Sequence, residues 1–401
     1  MLDGIRVLDL TQYLSGPSST QMLAHLGADV IKVEFGPGGD PARVLPGLRN
    51  KRSGFFVQQN RGKRSICVDF ADPRSHELIA ELAGECDVMV ENFGAGVLER
   101  RGLDYAALSK RYPKLIMASI SAFGRTGSLA HLPGYDIIGQ AYSGVMAVTG
   151  EADGFPQAAG VGIADCSAGA FVFGAIGHAL FARTQTGEGQ HIDVSLVESL
   201  FTMQALAVQR PSVEGSDSRQ VRRGRLHGAV APTGCYRSPD GFIAIQVLAP
   251  QWDRLCEAAA SIGLGDDARF TTSELRAENR ELLAEVLEAW MLTFATDEDL
   301  LKTLAEHRVP ASPIVDPADA GDYPWFRERS ALRDVTDPFI GDMTVPGFPV
   351  HFSGHDEPGD ESPAPTLGEH GRDVLVDVLG YDEAQIDGLF AAGTVSAPAL
   401  P

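Results

Sequence analysis

The first 121 residues alternate short apolar runs with segments of helical periodicity. Pro17 fits the first turn of a helix over residues 18–26 that Gly27 would end, and further helices are predicted over residues 73–84 and 104–111. The apolar runs between them, typical of buried strands, are IRVLDL (5–10), ADVIKVE (28–34), SICVDF (65–70), DVMVEN (87–92) and LIMASI (115–120). Strands that alternate with helices in this way predict an α/β domain with a doubly wound parallel sheet.

Small residues dominate the chain from residue 135 onward. Helices rich in glycine and alanine can approach other backbones closely, which suits a buried interface or a ligand cleft. The most apolar stretch, residues 166–182, falls short of the ~20 residues of a membrane span, contains His178 and directly follows Asp165. These features favour a buried helix over a transmembrane one.

A second, smaller α+β domain is predicted after residues 214–228, where the apolar periodicity is lost as in a linker. Residues 234–247 are typical of two strands around a Ser-Pro-Asp-Gly turn. The other elements predicted beyond them are helices at 251–263 and 278–294, a strand at 309–315, edge structure with prolines at 342–354, and a pair of terminal helices at 367–380 and 382–393.

Acidic residues outnumber basic ones, with 54 Asp+Glu against 33 Lys+Arg and a formal net charge of −21. This balance argues against sequence-independent binding of nucleic acid or of an anionic membrane. The five cysteines stand singly, without a C-x-x-C pair, which argues against a disulfide framework or a zinc site. The first residues lack the pattern of a secretory signal, and we expect a cytoplasmic protein without a metal.

One segment departs from this acidic composition. Residues 41–68 contain no Asp or Glu but seven basic residues, which are Arg43, Arg49, Lys51, Arg52, Arg61, Lys63 and Arg64. Their side chains either pair with acidic groups elsewhere on the surface or bind a phosphate-rich small ligand through charge-assisted hydrogen bonds. The turn from Asn60 to Gly62 inside this segment lets the backbone approach such a ligand.

Familiar nucleotide and metal motifs are missing from the sequence. The turn after the first strand, TQYLSGPSS, lacks the G-x-G-x-x-G pattern, and neither G-x-x-x-x-G-K-[ST] nor H-E-x-x-H occurs. Asp165, which precedes the long apolar helix, fits two roles: the N-cap of that helix, or a nucleophile towards an activated acyl group. Asp136 also fits two roles, a helix cap or a polar group of an active site.

Eight strings are spread along nearly the whole chain: LDGIRVLDLT, LGADVIKVE, NRGKRSICVDF, DVMVENFGAGVLERRGLDY, PGYDIIGQAYSG, ADCSAG, TGEGQHIDVSLVES and LGEH. In order and spacing they resemble the class III coenzyme A transferases. That family includes formyl-CoA transferase and the α-methylacyl-CoA racemases. The resemblance implies an enzyme that moves CoA from an acyl-CoA thioester to a carboxylic acid acceptor.

The resemblance also implies an architecture: a Rossmann-like large domain built from both chain ends, with the smaller domain inserted in the second half. On that pattern, residues 1–213 form the N-terminal part of the large CoA-binding domain and 214–228 a linker. Residues 229–325 form the small α+β domain, and 326–401 return to the large domain. The family pattern further implies an obligate homodimer whose two chains are interlocked.

Asp165 matches the family's catalytic aspartate, which implies an aspartyl anhydride and then an aspartyl-CoA thioester on its carboxylate. The acceptor acid attacks that thioester in turn, so no ATP and no tightly bound cofactor are implied, and coenzyme A enters as a substrate. Positions that match the family's CoA contacts are Leu14, Ser15, Asn60, Arg61, Gly62, Lys63, Asn92, Phe93, Gly94, Arg100, Pro133, Gly134, Tyr135 and Asp136.

The sequence departs from formyl-CoA transferase at three places. Phe35 and Pro133 stand where that enzyme has Arg and Lys, and the candidates to compensate are Arg43, Lys51 and Arg52. The run of glycines over its oxalate site has no counterpart between residues 224 and 241. Oxalate specificity is therefore not expected.

The sequence is also compatible with alternatives to intermolecular transfer. Tyr135 stands where the racemases have His, and a phenol with a pKa near 10 is a poor base at neutral pH, which disfavours an acyl-CoA racemase. An intramolecular CoA isomerase and a non-catalytic CoA-binding protein are the other candidates. The basic residues that either receive a dicarboxylate or are solvated linker charges are Arg222, Arg223, Arg225 and His227.

Overall fold

The structure is a computed structural model that describes residues 1–354 and 362–399. Its strands are β1 Arg6–Asp9, β2 Asp29–Phe35, β3 Leu48–Arg49, β4 Arg52–Ser53, β5 Lys63–Val68, β6 Val88–Glu91, β7 Ile116–Ser121, β8 His191–Ser195, β9 Thr233–Ser238, β10 Gly241–Gln246, β11 Ala311–Pro313, β12 Leu332–Asp337 and β13 Gly341–Pro346. Its helices are α1 Ser15–His25, α2 Gly54–Asn60, α3 Pro73–Gly84, α4 Tyr105–Arg111, α5 Asp136–Tyr142, α6 Val145–Val148, α7 Ile163–Thr186, α8 Leu196–Phe201, α9 Gln209–Glu214, α10 Ala249–Ala258, α11 Ser273–Glu278, α12 Arg280–Met291, α13 Asp297–Glu306, α14 Pro324–Glu328, α15 Gly371–Leu379 and α16 Glu383–Ala391.

Within the described residues, six strands form one parallel sheet. Their order across the sheet is β5-β2-β1-β6-β7-β8, and every neighbouring pair runs parallel. The chain starts in the middle, moves to one edge, and then returns to the other side of β1 with β6. This is the doubly wound order that the alternating pattern predicted, and ligands of such sheets bind where the order reverses.

The C-terminal helices pack against the first half of the chain. Leu8, Ile31 and Met89 of the sheet share one buried cluster with Leu375 of α15 and Ile386 of α16. Both helices lie inside the segments predicted as a terminal helical pair. The two-stranded hairpin of β12 and β13 precedes them in the chain.

The chain divides into two compact units. Unit 1 is made of Met1–Ser143, Ala159–Met203 and the described residues from Tyr323 onward, and unit 2 of Gly144–Ala158 and Gln204–Asp322. Residues 144–158 and 204–213, which the sequence analysis assigned to the large domain, belong to unit 2. The return of the C-terminal segment to unit 1 explains how α15 and α16 reach the parallel sheet.

Helix α1 starts earlier than the sequence pattern indicated. It begins at Ser15 rather than at residue 18, since the Ser18 N–H already donates to the Leu14 carbonyl at 2.9 Å. It ends at His25, and Gly27 follows with a left-handed φ of +98°, as expected for a glycine stop. The early start brings the first residues of α1 to the end of β1.

Helix α7 is long and apolar enough to cross a membrane by length and composition alone. Its buried apolar side chains are those of Ala164, Ala168, Val172, Ile176 and Ala179. A Cβ atom at Gly169 would lie 2.3 Å from the Ser18 Oγ and 2.8 Å from the Ser15 carbonyl oxygen, so α7 and α1 are in very close contact. One face of α7 therefore packs against α1 within unit 1, whereas Phe171 and Phe181 are exposed on it.

Unit 2 has a sheet and a core of its own. Strands β9 and β10 form an antiparallel hairpin around the predicted Ser-Pro-Asp-Gly turn, and β11 pairs with β10. Buried side chains such as Tyr236, Leu255, Phe270 and Leu287 join the hairpin to the helices in one cluster. This unit has the α+β composition that the sequence predicted.

Candidate active site

A cavity of about 250 Å³ opens at the carboxyl ends of β1, β6 and β7. The strand order reverses at this point, which is the usual position of a ligand in an open parallel sheet. The residues that line the cavity are Gln12, Tyr13, Ser15, Asn92, Phe93, Gly94, Ile120, Ser121, Ala122, Pro133, Gly134, Tyr135, Asp165 and Leu196. The structure thus brings Asp165 together with Ser15 and with the predicted residues of segments 92–94 and 133–135.

Asp165 lies in the first turn of α7 but is not its cap. The N-cap position is Gly162, and the N–H groups of Ala164 and Asp165 donate to Oδ1 of Asp136 at 2.7 and 3.1 Å. The other oxygen of Asp136 accepts a hydrogen bond from Gln140 Nε2 at 2.6 Å. The cap role considered for Asp165 is therefore wrong, whereas Asp136 does cap a helix, though not the one it begins.

The Asp165 carboxylate has no hydrogen-bond partner among the residues that the structure describes. Burial, and then the negative charge of Asp136, raise the pKa of Asp165 from its ordinary 3.8 to about 7. A partly desolvated carboxylate in a cavity, with a pKa near neutrality, is typical of a reacting group. Because no hydrogen bond holds its oxygens, they are available to attack a carbonyl carbon.

Asn92, directly after β6, ties together two loops that line the cavity. Its Oδ1 accepts from the Gln12 N–H at 2.9 Å, and its Nδ2 donates to the Gln12 carbonyl at 2.8 Å. Tyr13, next along the same loop, has a left-handed φ of 66°, and its N–H donates to Asp40 at 3.1 Å. Such a conformation costs a non-glycine residue ~1 kcal/mol or more, so these hydrogen bonds hold the loop in a fixed shape.

Two glycines allow close approaches around the cavity, and a third leaves space. A Cβ atom at Gly162 would lie 2.8 Å from Leu14 Cδ2, and one at Gly134 would lie 2.6 Å from the Ala122 Cβ. Leu14 therefore borders the start of α7, and the segment that holds Gly134 packs against the end of β7. Around Gly94, by contrast, a Cβ atom would meet nothing within 4 Å, which leaves room for a ligand.

The turn Asn60–Lys63 lies away from this cavity. It leads into β5 at the amino end of the sheet, whereas the cavity lies at the carboxyl ends of the strands. Asn60 donates from Nδ2 to the Phe56 carbonyl at 3.0 Å, Arg61 is 5% exposed, and the Gly62 N–H donates to the Ser362 carbonyl at 2.8 Å. Contact between this turn and CoA stays a prediction.

Lys63 belongs to a buried polar network beneath α1. Its Nζ donates, at 2.8–3.1 Å, to Asp9 Oδ2, the Pro17 carbonyl, Thr20 Oγ1 and Asn60 Oδ1. Burial alone would raise the pKa of Asp9, but the charges of Lys63 and Lys32 outweigh it and hold that pKa well below its usual range. Lys32 in turn lies 3.0 Å from Asp40, the carboxylate that accepts from the Tyr13 N–H. The network thus supports the loop that lines the cavity.

Most of the basic segment 41–68 is neutralised within unit 1. The ion pairs are Arg43–Glu34 (2.6 Å), Arg52–Asp337 (2.9 Å), Lys63–Asp9 (2.9 Å) and Arg64–Asp29 (2.6 Å). Pairing with acidic groups is therefore confirmed for these four. Arg43 and Arg52, which were candidates to compensate for Phe35 and Pro133, already form ion pairs with Glu34 and Asp337. Arg100, in the turn after β6, is exposed and has no acidic partner within residues 1–354 and 362–399, so it stays a candidate for a phosphate contact.

Sequence reasoning missed the ion pair between Glu91 and Arg125. Glu91 is buried at the end of β6, where one carboxylate oxygen pairs with the Arg125 guanidinium and the other accepts from the Phe93 N–H at 2.9 Å. The Arg125 N–H donates to Asp193 of β8 at 2.8 Å. These contacts join the loops after β6 and β7 to β8. The feature of the sequence that could have indicated this ion pair is the glutamate at the end of the otherwise apolar strand β6.

Known proteins resemble this chain over nearly its whole length. The sequence profile of CoA-transferase family III matches residues 2–371. The chain belongs to this family. This family III CoA transferase is 35% identical over 396 residues to succinyl-CoA:glutarate CoA-transferase of Mus musculus, covering 98% of this chain and 90% of that protein. It is 37% identical over 399 residues to succinyl-CoA:mesaconate CoA-transferase of Haloarcula marismortui, covering 96% and 97%.

The fold of this family III transferase has a close counterpart among solved structures. A CAIB/BAIF family protein from Brucella suis superposes with a TM-score of 0.82 at 35% identity, covering 94% of this chain and 99% of that one. The resemblance carried by the eight sequence strings is thereby confirmed. The protein is an enzyme that transfers CoA between an acyl-CoA and a carboxylic acid.

Proposed function

We propose that the protein transfers CoA from an acyl-CoA to a small dicarboxylic acid with Asp165 as the nucleophile. The observation that carries this proposal is that Asp165 lines the cavity at the switch point of the sheet while Asp136 caps α7 in its place. An aspartate that is not needed as a cap is available for covalent chemistry. Dicarboxylic substrates are proposed because the relatives at 35% and 37% identity are named for succinyl-CoA with glutarate and with mesaconate.

The proposed reaction passes through three covalent states of Asp165. Its ionised oxygen attacks the thioester carbonyl of the donor, the C–S bond breaks, and the CoA thiolate leaves to give a mixed anhydride. The thiolate then attacks the aspartyl carbonyl carbon, which releases the donor acid and forms an aspartyl-CoA thioester. An acceptor carboxylate attacks that thioester and expels the thiolate, which gives a second mixed anhydride. The thiolate then attacks the acceptor's carbonyl carbon, the anhydride bond to Asp165 breaks, and the new acyl-CoA and the free Asp165 carboxylate are released. Each step exchanges one activated acyl bond for another, so no ATP is consumed.

The cavity supports these steps by keeping the anhydride and the thiolate together. Their recombination is then effectively unimolecular, an advantage that can reach ~7–11 kcal/mol. The apolar lining residues Ile120, Ala122 and Leu196 favour exclusion of water, which would hydrolyse the anhydride. The loop held by Asn92 and Tyr13 gives the bound thioester a fixed wall.

We further propose an interlocked homodimer in the cytoplasm. On α7, Phe171 is 43% exposed and Phe181 is 70% exposed, and a second copy that covers them would remove apolar surface from water. Sedimentation equilibrium measures the mass in solution, and a monomer at micromolar concentration would contradict the dimer. The single, unpaired spacing of the cysteines supports the cytoplasmic location, which cell fractionation checks.

A trapping experiment tests the nucleophile. After incubation with succinyl-CoA, hydroxylamine should convert the activated side chain of Asp165 to a hydroxamate, which peptide mass spectrometry locates. Asp165→Asn and Asp165→Ser should both abolish transfer to glutarate. The control Asp104→Asn changes the cap of α4, outside the cavity, and should keep wild-type turnover. A hydroxamate on another residue, or wild-type turnover by Asp165→Ser, would contradict the assignment.

The reaction products distinguish racemization and CoA migration within one substrate from transfer of CoA between two acids. Tyr135 lines the cavity, with its ring edge-on to that of Tyr13 at a centroid distance of 6.0 Å. Burial raises the pKa of Tyr13, and phenols are weak bases at neutral pH. We therefore expect no deuterium incorporation at the α-carbon of an acyl-CoA in D₂O without an acceptor. CoA that migrates within one diacid would instead indicate an isomerase.

A further inference from the structure

A second cavity, of about 390 Å³, lies within unit 2. Residues 219–221 and 223–229 supply most of its wall, and the others are Val148, Leu206, Arg210, Thr233 and Gly234. The Arg222 guanidinium holds this wall on one side by donating to the carbonyls of Glu151 and Gly154 at 3.2 and 3.0 Å. On the other side, Leu226 is 5% exposed and forms an isolated antiparallel β-bridge with Gly234 of β9. The wall is an ordered part of unit 2 rather than chain free in solvent.

The charge around this cavity is positive. Its lining includes no Asp or Glu among the described residues, and the basic groups are Arg210, Arg219, Arg223, Arg225 and His227. Two of these are neutralised, in the ion pairs Arg210–Glu214 (2.7 Å) and Arg225–Glu288 (2.5 Å). Arg219 and Arg223 have no acidic partner in the part of the chain that the structure describes, although Glu151 reaches Gly224 at the edge. Two unpaired guanidinium groups at one cavity of so acidic a protein indicate an anion site.

Two neutral hydrogen-bonding groups accompany the arginines. The Nδ1 atom of His227 accepts from the N–H groups of Ala229 at 3.2 Å and Val230 at 3.1 Å. Because Nδ1 is an acceptor, a neutral ring carries its proton on Nε2 and offers a donor there. The Thr233 Oγ1 atom is buried without a hydrogen-bond partner in the described residues. Leaving such a group unsatisfied costs ~1–3 kcal/mol, so a ligand or water that bonds it is stabilised.

We propose that this cavity binds a small dicarboxylate, such as succinate or glutarate, through Arg219 and Arg223. His227 and Thr233 supply further hydrogen bonds to its carboxylate oxygens. Guanidinium groups suit this ligand, since their planar forks match carboxylates by paired hydrogen bonds. The assignment of dicarboxylates rests on the proposed function, which makes them the acids that this enzyme encounters. Inorganic phosphate is the competing anion that the same groups would accept.

Isothermal titration calorimetry of glutarate into the full-length protein, without CoA, tests this site. In Arg219→Gln/Arg223→Gln the Kd should rise about tenfold or more, the loss expected when both guanidinium contacts are removed. Thr233→Val, which keeps the shape of the side chain, should raise the Kd by roughly two- to fivefold. Arg237→Gln/Arg254→Gln removes two exposed arginines of unit 2 outside the cavity and should leave the Kd unchanged. Circular dichroism checks that each variant is folded.

The possible results separate this proposal from the proposed function. Unchanged glutarate affinity in a folded Arg219→Gln/Arg223→Gln variant overturns the site. Phosphate or the monocarboxylate butyrate binding as tightly as glutarate overturns its specificity for dicarboxylates. If instead the wild-type protein transfers no CoA to any dicarboxylate while arginine-dependent glutarate binding persists, the proposed function fails and the site stands.

Discussion

Replacing Asp165 by asparagine should stabilise the folded protein at high pH while it abolishes CoA transfer. Burial and the charge of Asp136 raise the pKa of Asp165 from 3.8 to about 7. The folded state therefore holds this proton more tightly than the unfolded chain does. Above pH 7 the ionised carboxylate lowers the free energy of unfolding, and this penalty disappears as the pH falls towards about 4. Asparagine carries no charge and escapes the penalty.

The magnitude follows from the same two pKa values. A difference of about three pH units corresponds to at most ~4 kcal/mol. Asp165 is partly exposed, and screening by solvent reduces the effect, so we expect Asp165→Asn to gain ~1–2 kcal/mol at pH 8 and almost nothing at pH 4. Urea unfolding at both pH values measures the difference. In the control Asp104→Asn the new residue caps α4 as well as aspartate does, and the change should stay below ~0.5 kcal/mol.

A purely structural Asp165 would behave in the opposite way. Its replacement would then lower the free energy of unfolding at pH 8, as the loss of a useful contact does. An asparagine variant less stable than the wild type at pH 8, or an advantage that does not shrink towards pH 4, would refute the reasoning from burial and from Asp136. Loss of transfer together with a gain in stability is the combination expected of a strained reacting group.

Three other changes probe the supports of the site. Because transfer needs ionised Asp165, kcat/KM should rise with pH through about 7, and Asp136→Asn, which keeps the capping oxygen but removes the charge, should move that rise to lower pH in a pH–rate profile. Gly169→Ala should cost ~1–3 kcal/mol in urea unfolding through its clash with α1, whereas Gly174→Ala on the same helix meets nothing within 4 Å and should be neutral or stabilising. Lys63→Met leaves a buried carboxylate unpaired and should cost ~3–5 kcal/mol, and an unchanged urea midpoint would contradict the buried network.

The parallel sheet could be predicted because each strand carries a local signal. A run such as SICVDF is apolar, short and bounded by turn residues, and α3 occupies the residues predicted for it. The start of α1 was placed too late because Ser15 and Gly16 are weak helix formers. They are helical because the Leu14 carbonyl, in the loop after β1, accepts the first hydrogen bond of the helix.

The site could be predicted only in part. Asp165 was found because it precedes the long apolar helix and matches a family motif, and Asn92 because its motif resembles that of a known family. The cap supplied by Asp136 could not be found, since a search for caps considers neighbouring residues and this one lies 29 positions away. The burial of Lys63 was equally hidden. Composition places a lysine at the surface, and only the fold brings Asp9 to it.

Residues after 330 make contacts that the first 70 residues of unit 1 need. The order in which the ribosome makes the chain therefore affects when each unit can fold. Arg52 obtains its carboxylate from Asp337, and the Cys67 carbonyl of β5 accepts from the Ser396 N–H at 2.9 Å. Unit 2, in contrast, has all of its residues once Asp322 has been made. A nascent chain on the ribosome can therefore finish unit 2 while β5 still lacks its covering segment. Until Ser396 has been made, unit 1 keeps an open apolar edge, and it is the part of the newborn chain most in need of a chaperone.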